Sequence, residues 1–411
     1  MGLTLRQTST LASVDPAAWN RLDHGCSPFL EHGFLCALER SGSIGPGSGW
    51  APRYILAEWV GPTAPDRAAL VGAIPCFVKH HSYGEYIFDF PWARAAARGG
   101  VPYYPKLVVA APVTPATGPR ILVRRADDPG PGVDEIIAAM LAAVRGLADA
   151  EHCSSIHWLF TTEAEQALLA AAGFEPRASF QFHWRNAGYA SFEDFLATLT
   201  SRKRKQLRKE RARARAAVDE IAFVGGDALD DDDLAAIDRF YRNTTDAHGG
   251  QDYLRPGFFA ELRRLAPERV QWVRARRGGR TVAGALYLET DGALYGRYWG
   301  CDESIEFLHF ELAYYCGIER CIERGLPLFE AGAQGEHKLL RGFSPSPTYS
   351  SHWIRHGGLR DAVTRFLDEE RGAVARYLVE LSSFEPYRKP DAAPKLDPDG
   401  VAGEADPVDP D

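Results

Sequence analysis

Two runs of alternating apolar and polar residues mark the two halves of the chain. The first half contains RYILAEWV, ALVGAIPCFVK and YGEYIFDF, and the second half contains VQWVRARRG, TVAGALYLE and ALYGRYWG. Period-two alternation with β-branched and aromatic residues predicts strands. A helical pattern follows each set, at 133–151 and at 302–320, and a further strand comes after each helix. We therefore predict an α/β (α+β) fold in which one mixed unit is used twice.

A short motif repeats at a fixed distance and supports this division. The segment AAGFEPRASFQFHWRN (171–186) aligns with LRGFSPSPTYSSHWIR (340–355), so that Gly-Phe-x-Pro and His-Trp recur at an offset of 169 residues. The alignment predicts an internal duplication. The predicted divisions are a first domain at 1–186, a basic helical linker at 187–220, a second domain at 221–387 and a disordered acidic tail at 388–411.

The two halves differ most just before the second copy of this motif. The first half has TTEAEQALLAAA (161–172), the pattern of a plain helix, whereas the second has EAGAQGEHKLLR (330–341). Glycine costs about 1 kcal/mol in a helix interior, so Gly332 and Gly335 indicate a required turn with accessible backbone amides. This stretch either supplies the chemistry of a site or is a solvated loop. The candidate side chains are Glu330, Gln334, Glu336, His337, Lys338 and Arg341.

A carboxylate also lies on the apolar stripe of the helix predicted before this stretch. The stripe runs at helical spacing from Leu308 to Ile322, and Glu311 projects from its middle. A carboxylate on a core-facing stripe needs a partner or a raised pKa. Glu311 is therefore either a general base or one half of a structural salt bridge.

The first half carries an addition between Phe90 and Val123 that the second half lacks. Its TPATGPR loop offers backbone amides and Arg120, which suit a phosphate or carboxylate. Lys106 is a second candidate for orienting an anionic substrate. Tyr103 and Tyr104 either line a cleft or cap the core.

A basic segment lies at the junction between the halves. SRKRKQLRKERARARAA (201–217) contains nine Lys and Arg residues and one Glu. The preceding SFEDFLATL has a Ser191–Asp194 capping pattern, so two helices are predicted in succession. The basic helix is either a solvated arm held away from the core or a contact for RNA, anionic lipid or a phosphorylated donor through residues 202–215.

Charge and cysteine content exclude several classes of function. The 411 residues carry a formal net charge of −8, so the protein as a whole is no general polyanion binder, and we expect no DNA partner. Seven cysteines without CxxC spacing indicate reduced thiols and no zinc site, and we expect no metal. We see no signal peptide and no apolar run long enough to span a bilayer. These features predict a cytoplasmic protein, with peripheral contact to the inner membrane as an open alternative.

The twin units, the basic segment RKRKQLRKERARARA and the stretch GLPLFEAGAQGEHKLLRGFSPSPTYSSHW together resemble the Fem-like branch of the GNAT acyltransferase superfamily. The likeness extends over about residues 5–385 and is closer still to bacterial peptidoglycan biosynthesis or recognition proteins. It implies two GNAT folds facing across a groove and transfer of an acyl or aminoacyl group to an amine. The usual coenzyme A loop of GNAT relatives, Arg/Gln-x-x-Gly-x-Gly/Ala, is missing from both halves.

From the residues and this resemblance we expect an N-acyltransferase without a tightly bound cofactor. Acyl-CoA or aminoacyl-tRNA would be the co-substrate, and a cell-wall precursor or an amino lipid would supply the amine. Glu311 or His337 would take the proton of the amine, and Lys338 or the Gly332–Gly335 backbone would stabilise the oxyanion. A non-catalytic protein that binds a precursor or tRNA, and an acyltransferase directed to lipids, are the alternatives.

Overall fold

The alternating segments form strands, and all 13 strands of the described residues belong to one sheet. The computed structural model describes residues 2–61, 68–247, 250–333 and 335–388. The strands are β1 Gly2–Thr8, β2 Ala51–Val60, β3 Ala69–Lys79, β4 Lys106–Val109, β5 Leu122–Val123, β6 Ser155–Thr161, β7 Glu175–Arg185, β8 Glu220–Gly225, β9 Val270–Arg277, β10 Arg280–Glu289, β11 Ala293–Cys301, β12 Leu328–Glu330 and β13 Ser344–Ile354.

Twelve α-helices are present in the same residues. They are α1 Pro16–Asn20, α2 His32–Arg40, α3 Phe90–Arg98, α4 Val133–Ala150, α5 Glu163–Ala171, α6 Phe192–Thr198, α7 Ser201–Ala216, α8 Asp231–Ala247, α9 Phe258–Leu265, α10 Leu308–Phe310, α11 Cys316–Arg324 and α12 Gly357–Ser382. A π-helical turn, Glu311–Tyr315, joins α10 to α11, and a 3-10 helix, Glu336–Arg341, follows β12. Shorter 3-10 segments lie at Pro28–Leu30, Gly226–Ala228 and Pro267–Arg269.

The two halves exchange their last strands in the middle of the sheet. The order across it is β1-β2-β3-β4-β6-β13-β7-β12-β11-β10-β9-β8, with β5 paired to β3 off this path. β13 lies antiparallel to both β6 and β7, and β7 lies antiparallel to β12. Each terminal strand therefore pairs with the opposite half. β7 and β13 begin and end 169 residues apart, which is the offset of the sequence motif.

The fold is therefore the predicted mixed α/β arrangement with two similar units in tandem. The units share a continuous sheet. The division proposed at residue 186 comes directly after β7, and β7 is hydrogen-bonded to β12 of the second unit. The domain boundaries themselves stay a prediction. Of the acidic tail, only residue 388 falls within the described residues.

Apolar stripes on the two long central helices build the cores beside the sheet. On α4, Ile136, Met140 and Val144 recur at helical spacing and are buried in one cluster with residues of β2, β3 and β6. The predicted stripe in the second half also forms. Its members Leu308, Leu312, Tyr315 and Ile318 are buried, and Ile322 is partly buried. Helix and sheet thus bury the apolar faces that the sequence pattern identified.

The predicted strand YGEYIFDF is wrong. Residues 83–89 form a turn and a bend with no strand, and Phe90 begins α3, so β4 takes the place of the third strand. The physical reason is charge, because Glu85 and Asp89 both bind the buried ammonium of Lys106 at its Nζ, at 2.8 and 2.5 Å. Those contacts draw the segment over the end of β4 rather than into the sheet.

Candidate active site

The turn after β12 has the special backbone that its glycines predicted. Gly332 has φ 84° and Gly335 has φ 108°, both in the left-handed region that favours glycine. A Cβ on Gly335 would lie 2.5 Å from the His337 ring. In the first half the equivalent stretch is the regular helix α5, whose capping box joins Thr162 and Glu165. Gln334, a candidate from the sequence, lies outside the described residues.

Glu330, the last residue of β12, is buried beneath this turn. It lies directly opposite His183 of β7, with 4.0 Å between its Oε1 and the ring Nε2. Its Oε2 has no hydrogen-bond partner among the described residues. Burial raises the pKa of Glu330 to about 8, against the opposing effects of the Thr117 backbone and Arg120. At neutral pH this carboxyl group mostly carries a proton.

Lys338 approaches the same turn from the 3-10 helix. Its Nζ donates to the carbonyl oxygen of Gly332 at 2.6 Å, and its side chain is buried. Within the described ranges it forms no ion pair, and burial lowers its pKa to about 7. An amine with that pKa exchanges protons near neutral pH, which an ordinary lysine does not.

An aromatic cluster covers the other side of the 3-10 helix. Tyr314 of the π-helical turn is hydrogen-bonded to His337, with 2.8 Å between Oη and Nε2. Burial lowers the pKa of His337, and Arg341 and Lys338 lower it further. Burial also lowers the pKa of His309 to about 4. His337 is therefore neutral near pH 7, whereas Glu336 is exposed and accepts a hydrogen bond from Tyr377.

Two cavities meet at this turn. One, of about 80 Å³, opens where β11 diverges from β12, and its lining includes Gly296, Trp299, Tyr314 and Ala331. The other, of about 240 Å³, lies between the central strands and α12, and its lining includes Gln181 and Ala333. We call them the β11 cavity and the α12 cavity. Ala331 lines the first cavity and Ala333 lines the second, so the turn is placed to contact ligands in both.

Arg120 does not bind a substrate anion, contrary to the prediction. Its side chain is fully buried, and its three nitrogens donate to the carbonyl oxygens of Ala116, Gly118, Pro119 and Leu159. With each of its nitrogens bonded to backbone carbonyls, the guanidinium fixes the TPATGPR loop against β6. The loop lies beside β6 in the first half, since the Gly118 amide also donates to the Phe160 carbonyl.

Lys106, Tyr103 and Tyr104 are also internal. Lys106 is fully buried and binds Glu85 and Asp89, and the two carboxylates hold its pKa above its usual value despite burial. The Tyr103 hydroxyl donates to Asp89, while Tyr104 is hydrogen-bonded to Ser82. The prediction that Lys106 orients a substrate is wrong, and of the two readings for the tyrosines the structure favours core packing.

Glu311 belongs to a salt-bridge network rather than to the turn. It is fully buried, and its Oε1 lies 3.0 Å from Arg211 and 2.7 Å from Arg215, both on α7. Arg211 also donates to its Oε2 at 3.1 Å, so both carboxylate oxygens are occupied by guanidinium groups. Of the two readings that the sequence left open, the structure favours the salt bridge, and we do not retain Glu311 as the general base.

The basic helix α7 is therefore no free arm. Besides the contacts to Glu311, its residue Glu210 accepts from Arg341 at 3.1 Å and also binds the Tyr315 hydroxyl. Arg341 is buried, so its predicted role in binding substrate is replaced by this link between α7 and the 3-10 helix. On the outer side of α7, Arg202, Lys205 and Lys209 are exposed and form no ion pair with the described residues.

Sequence reasoning missed several residues around Glu330. The sequence identifies His183 only as part of the repeated His-Trp motif and does not single out Gln181. The Gln181 amide donates to the Pro115 carbonyl at 2.9 Å, and Arg297 donates to the Val113 carbonyl at 2.9 Å. These contacts hold the first-half loop over Glu330. The sequence signal that could have identified these two residues is the alternation along β7, which places His183 and Gln181 on the same face of the strand.

The described ranges contain no group of three or more His, Cys, Asp and Glu residues positioned to hold a metal ion. None of the helices found there combines the length and apolar character needed to cross a bilayer.

Comparison with known proteins agrees with this architecture. Residues 10–389 match the profile of a family designated FemAB-like and described as peptidoglycan biosynthesis/recognition. A search of curated proteins gives no significant match.

Three solved structures are among those that this chain matches, and of these FemX carries the likeness in fold. The crystal structure of FemX is 12% identical, with a TM-score of 0.53 over 87% of this chain and 100% of that one. L-PGS from Bacillus licheniformis is 13% identical, with a TM-score of 0.46 over 86% of this chain and 97% of that one. A tandem GNAT protein from the clavulanic acid biosynthesis pathway is 11% identical, with a TM-score of 0.42 over 86% and 98% of the two chains.

Proposed function

Because this chain belongs to the FemAB-like family, we propose that it is an N-acyltransferase that moves an acyl or aminoacyl group to an amine of a cell-envelope precursor. The observation that carries the proposal is that Glu330 precedes one turn and Lys338 binds the backbone of the same turn. One is a carboxyl group that keeps its proton at neutral pH, and the other is an amine that readily loses it. Oppositely displaced acid and base groups of this kind suit proton transfer.

The reaction needs two ligands in contact, and the turn between the cavities is suited to bring them together. In our proposal the β11 cavity holds the acyl end of the donor and the α12 cavity holds the acceptor amine. The small volume beside Gly296 admits only the group that is transferred, so the remainder of the donor would lie outside. Binding both ligands before chemistry supplies the orientation that a bimolecular reaction lacks.

Lys338 and Glu330 take complementary roles in this scheme. Neutral Lys338 accepts a proton from the attacking amine as the new carbon–nitrogen bond forms. The free Oε2 side of the protonated Glu330 carboxyl group donates a hydrogen bond to the developing oxyanion. The bond from the acyl carbon to the donor oxygen or sulfur then breaks, and the leaving atom takes the proton held by Lys338. No covalent enzyme intermediate is needed.

The unpaired bases of α7 support a phosphate-bearing donor. Burial lowers the pKa of Lys203 on the first turn, and the nearby charges of Arg202 and Arg341 lower it further. The exposed Arg202, Lys205 and Lys209 continue this positive surface away from the 3-10 helix. Both aminoacyl-tRNA and acyl-CoA carry phosphates, so we propose that one of them is the donor and contacts α7.

Mass spectrometry of products tests the proposal. Purified protein is incubated with a bacterial lysate, with and without ribonuclease, and also with acyl-CoA in place of the RNA fraction. We expect a product heavier by one acyl or aminoacyl group. Loss of this product after ribonuclease treatment identifies an RNA-linked donor, and persistence with acyl-CoA identifies a thioester.

Matched variants separate catalysis from folding. We expect Glu330→Met, which has no hydrogen-bond donor, to lose transfer and Glu323→Met, an exposed change on α11, to keep it. Binding of a precursor without any mass increase, in both the wild type and the variants, would instead show a non-catalytic binding protein. Transfer that is found only on amino lipids would favour the lipid-directed alternative.

A further inference from the structure

The α12 cavity contains an ion pair that the proposed reaction does not use. Arg177 of β7 and Glu370 of α12 both line it, and they bind each other through two parallel contacts. Nε lies 2.7 Å from one carboxylate oxygen of Glu370, and the second terminal nitrogen lies 2.8 Å from the other. The side chains are only 12% and 23% exposed, so the pair is largely shielded from water.

The two partners are held differently. Arg177 is fixed independently of Glu370, because its remaining nitrogen donates to the Phe88 carbonyl at 3.1 Å and its guanidinium lies 5.0 Å from the Trp92 ring centroid. The Glu370 carboxylate contacts no polar group other than Arg177 in the described part of the chain. Glu370 can therefore move away while the fork of Arg177 keeps its position and direction.

The cavity wall carries strained backbone as well. Tyr86 and Phe160 line it, and both have positive φ, 60° and 56°, which is uncommon for residues with side chains. Phe160 lies where the pairing of β6 with β13 shifts by one residue, a bulge that redirects side chains. Strain of this kind is concentrated at ligand sites, which gives a second reason to expect a ligand here.

The charges on the wall restrict which ligand fits. Among the described residues of the lining, Arg177 is the only cation and Glu370 the only anion, and the rest are apolar or neutral. A ligand with one charge would separate the pair and leave one buried charge without a partner, which is costly. A ligand with an amine beside a carboxylate replaces both contacts at once, its carboxylate on Arg177 and its ammonium on Glu370.

We infer that this pair is the recognition site for an amino-acid end, an amine and a carboxylate on one carbon, with its apolar stem against Phe88 and Phe180. Calling that end part of the acceptor rests on the proposed function. The binding of such an end does not depend on the proposed function. When the cavity is empty, the Glu370 carboxylate occupies the place on Arg177 that the ligand carboxylate would take.

Calorimetry with three probes of equal stem length tests the inference. They are 2-aminoheptanoate, heptanoate and 2-aminoheptane, which carry both charges, the carboxylate alone and the ammonium alone. We expect the wild type to bind 2-aminoheptanoate at least about tenfold more tightly than either other probe, since each charged hydrogen-bonded group contributes that much or more.

Two variants and one control sharpen the test. Arg177→Gln should lose binding of 2-aminoheptanoate. Glu370→Gln should bind 2-aminoheptanoate more weakly but heptanoate more tightly than the wild type, because the guanidinium is no longer occupied. Arg269→Gln breaks a similar two-contact pair with Glu31, away from both cavities, and should change neither affinity.

The outcomes distinguish this inference from the proposed function. Equal affinity for the three probes, or none, overturns the inference even if acyl transfer is observed. Tight, charge-selective binding in a protein without transferase activity supports the inference and removes the proposed reaction. A Glu370→Gln protein that is less stable but unchanged in probe selectivity would show that the pair only attaches α12 to the sheet.

Discussion

Glu330 lies directly opposite His183 on neighbouring antiparallel strands, with 4.0 Å between the carboxylate Oε1 and the ring Nε2. The two residues come from different halves of the chain, and each is buried. Burial raises the pKa of Glu330 to about 8 and lowers that of His183 to about 3, so both groups are mainly neutral at pH 7. The site thus keeps a protonated acid next to an uncharged imidazole.

The raised pKa of Glu330 predicts a pH-dependent stability. The folded protein keeps this proton up to about pH 8, whereas the unfolded chain releases it near pH 4.5. Between these values the contribution of Glu330 to stability falls as the pH rises. Glu330→Gln cannot ionise and therefore lacks this pH dependence. The free energy of unfolding of the variant minus that of the wild type should be larger at pH 8 than at pH 5 by about 2–4 kcal/mol. Urea unfolding at both pH values measures this, and a constant difference would contradict it.

Lys338 should be required as a base and not only as a positive charge. Arginine keeps the charge but does not lose its proton near neutral pH. We expect Lys338→Arg to lower the rate of transfer about a hundredfold. In the wild type, kcat/KM should rise with pH around an apparent pKa of about 7, since burial lowers the pKa of Lys338 to that value. Full activity of the arginine variant would assign Lys338 to holding the turn alone.

Glu311 should matter for folding. Glu311→Gln leaves Arg211 and Arg215 without their buried carboxylate, which we expect to cost about 3 kcal/mol. Glu319 shares both arginines but is 34% exposed, so Glu319→Gln should cost about 1 kcal/mol or less. Denaturant unfolding gives both values. A stable Glu311→Gln protein that lacks transferase activity would restore the general-base interpretation.

Gly335 should be needed for the geometry of the turn. Alanine there would have both a strained backbone, at about 1–3 kcal/mol, and a Cβ too close to His337. We expect Gly335→Ala to lower the rate of transfer. As a control, Gly146→Ala on the exposed side of α4 meets no atom within 4 Å and should raise the free energy of unfolding by up to about 1 kcal/mol. Equal activity in the two variants would show that the turn tolerates other conformations.

Much of the fold followed from local pattern. Alternation identified the strands, and helical spacing identified α4 and the Leu308–Ile322 stripe, because these patterns record which face of each element is buried. The segment at 83–90 failed because its apolar residues are interspersed with Glu85 and Asp89, which bind Lys106 from a distant strand. Alternation alone cannot register such a long-range ion pair.

The candidate site was predicted in part. The glycine turn and Lys338 were found from the difference between the halves, since a helix was replaced there. Arg120 and Lys106 were misjudged because their charges suggested ligands, while their neighbours in space are carbonyl oxygens and carboxylates of the chain itself. Whether a charged side chain reaches solvent depends on packing that no local pattern specifies.

The sequence by itself determined the two similar units, their offset and the turn with left-handed glycines. Only the tertiary structure decided which strands meet. His352 lies opposite His157, whereas the repeat-equivalent His183 lies opposite Glu330 rather than Leu326, the counterpart of His157. Pairing in the second half is displaced by four residues. Because an even displacement keeps each side chain on its face of the sheet, the local pattern does not choose between the two registers. That displacement puts the protonated carboxyl group beside the imidazole.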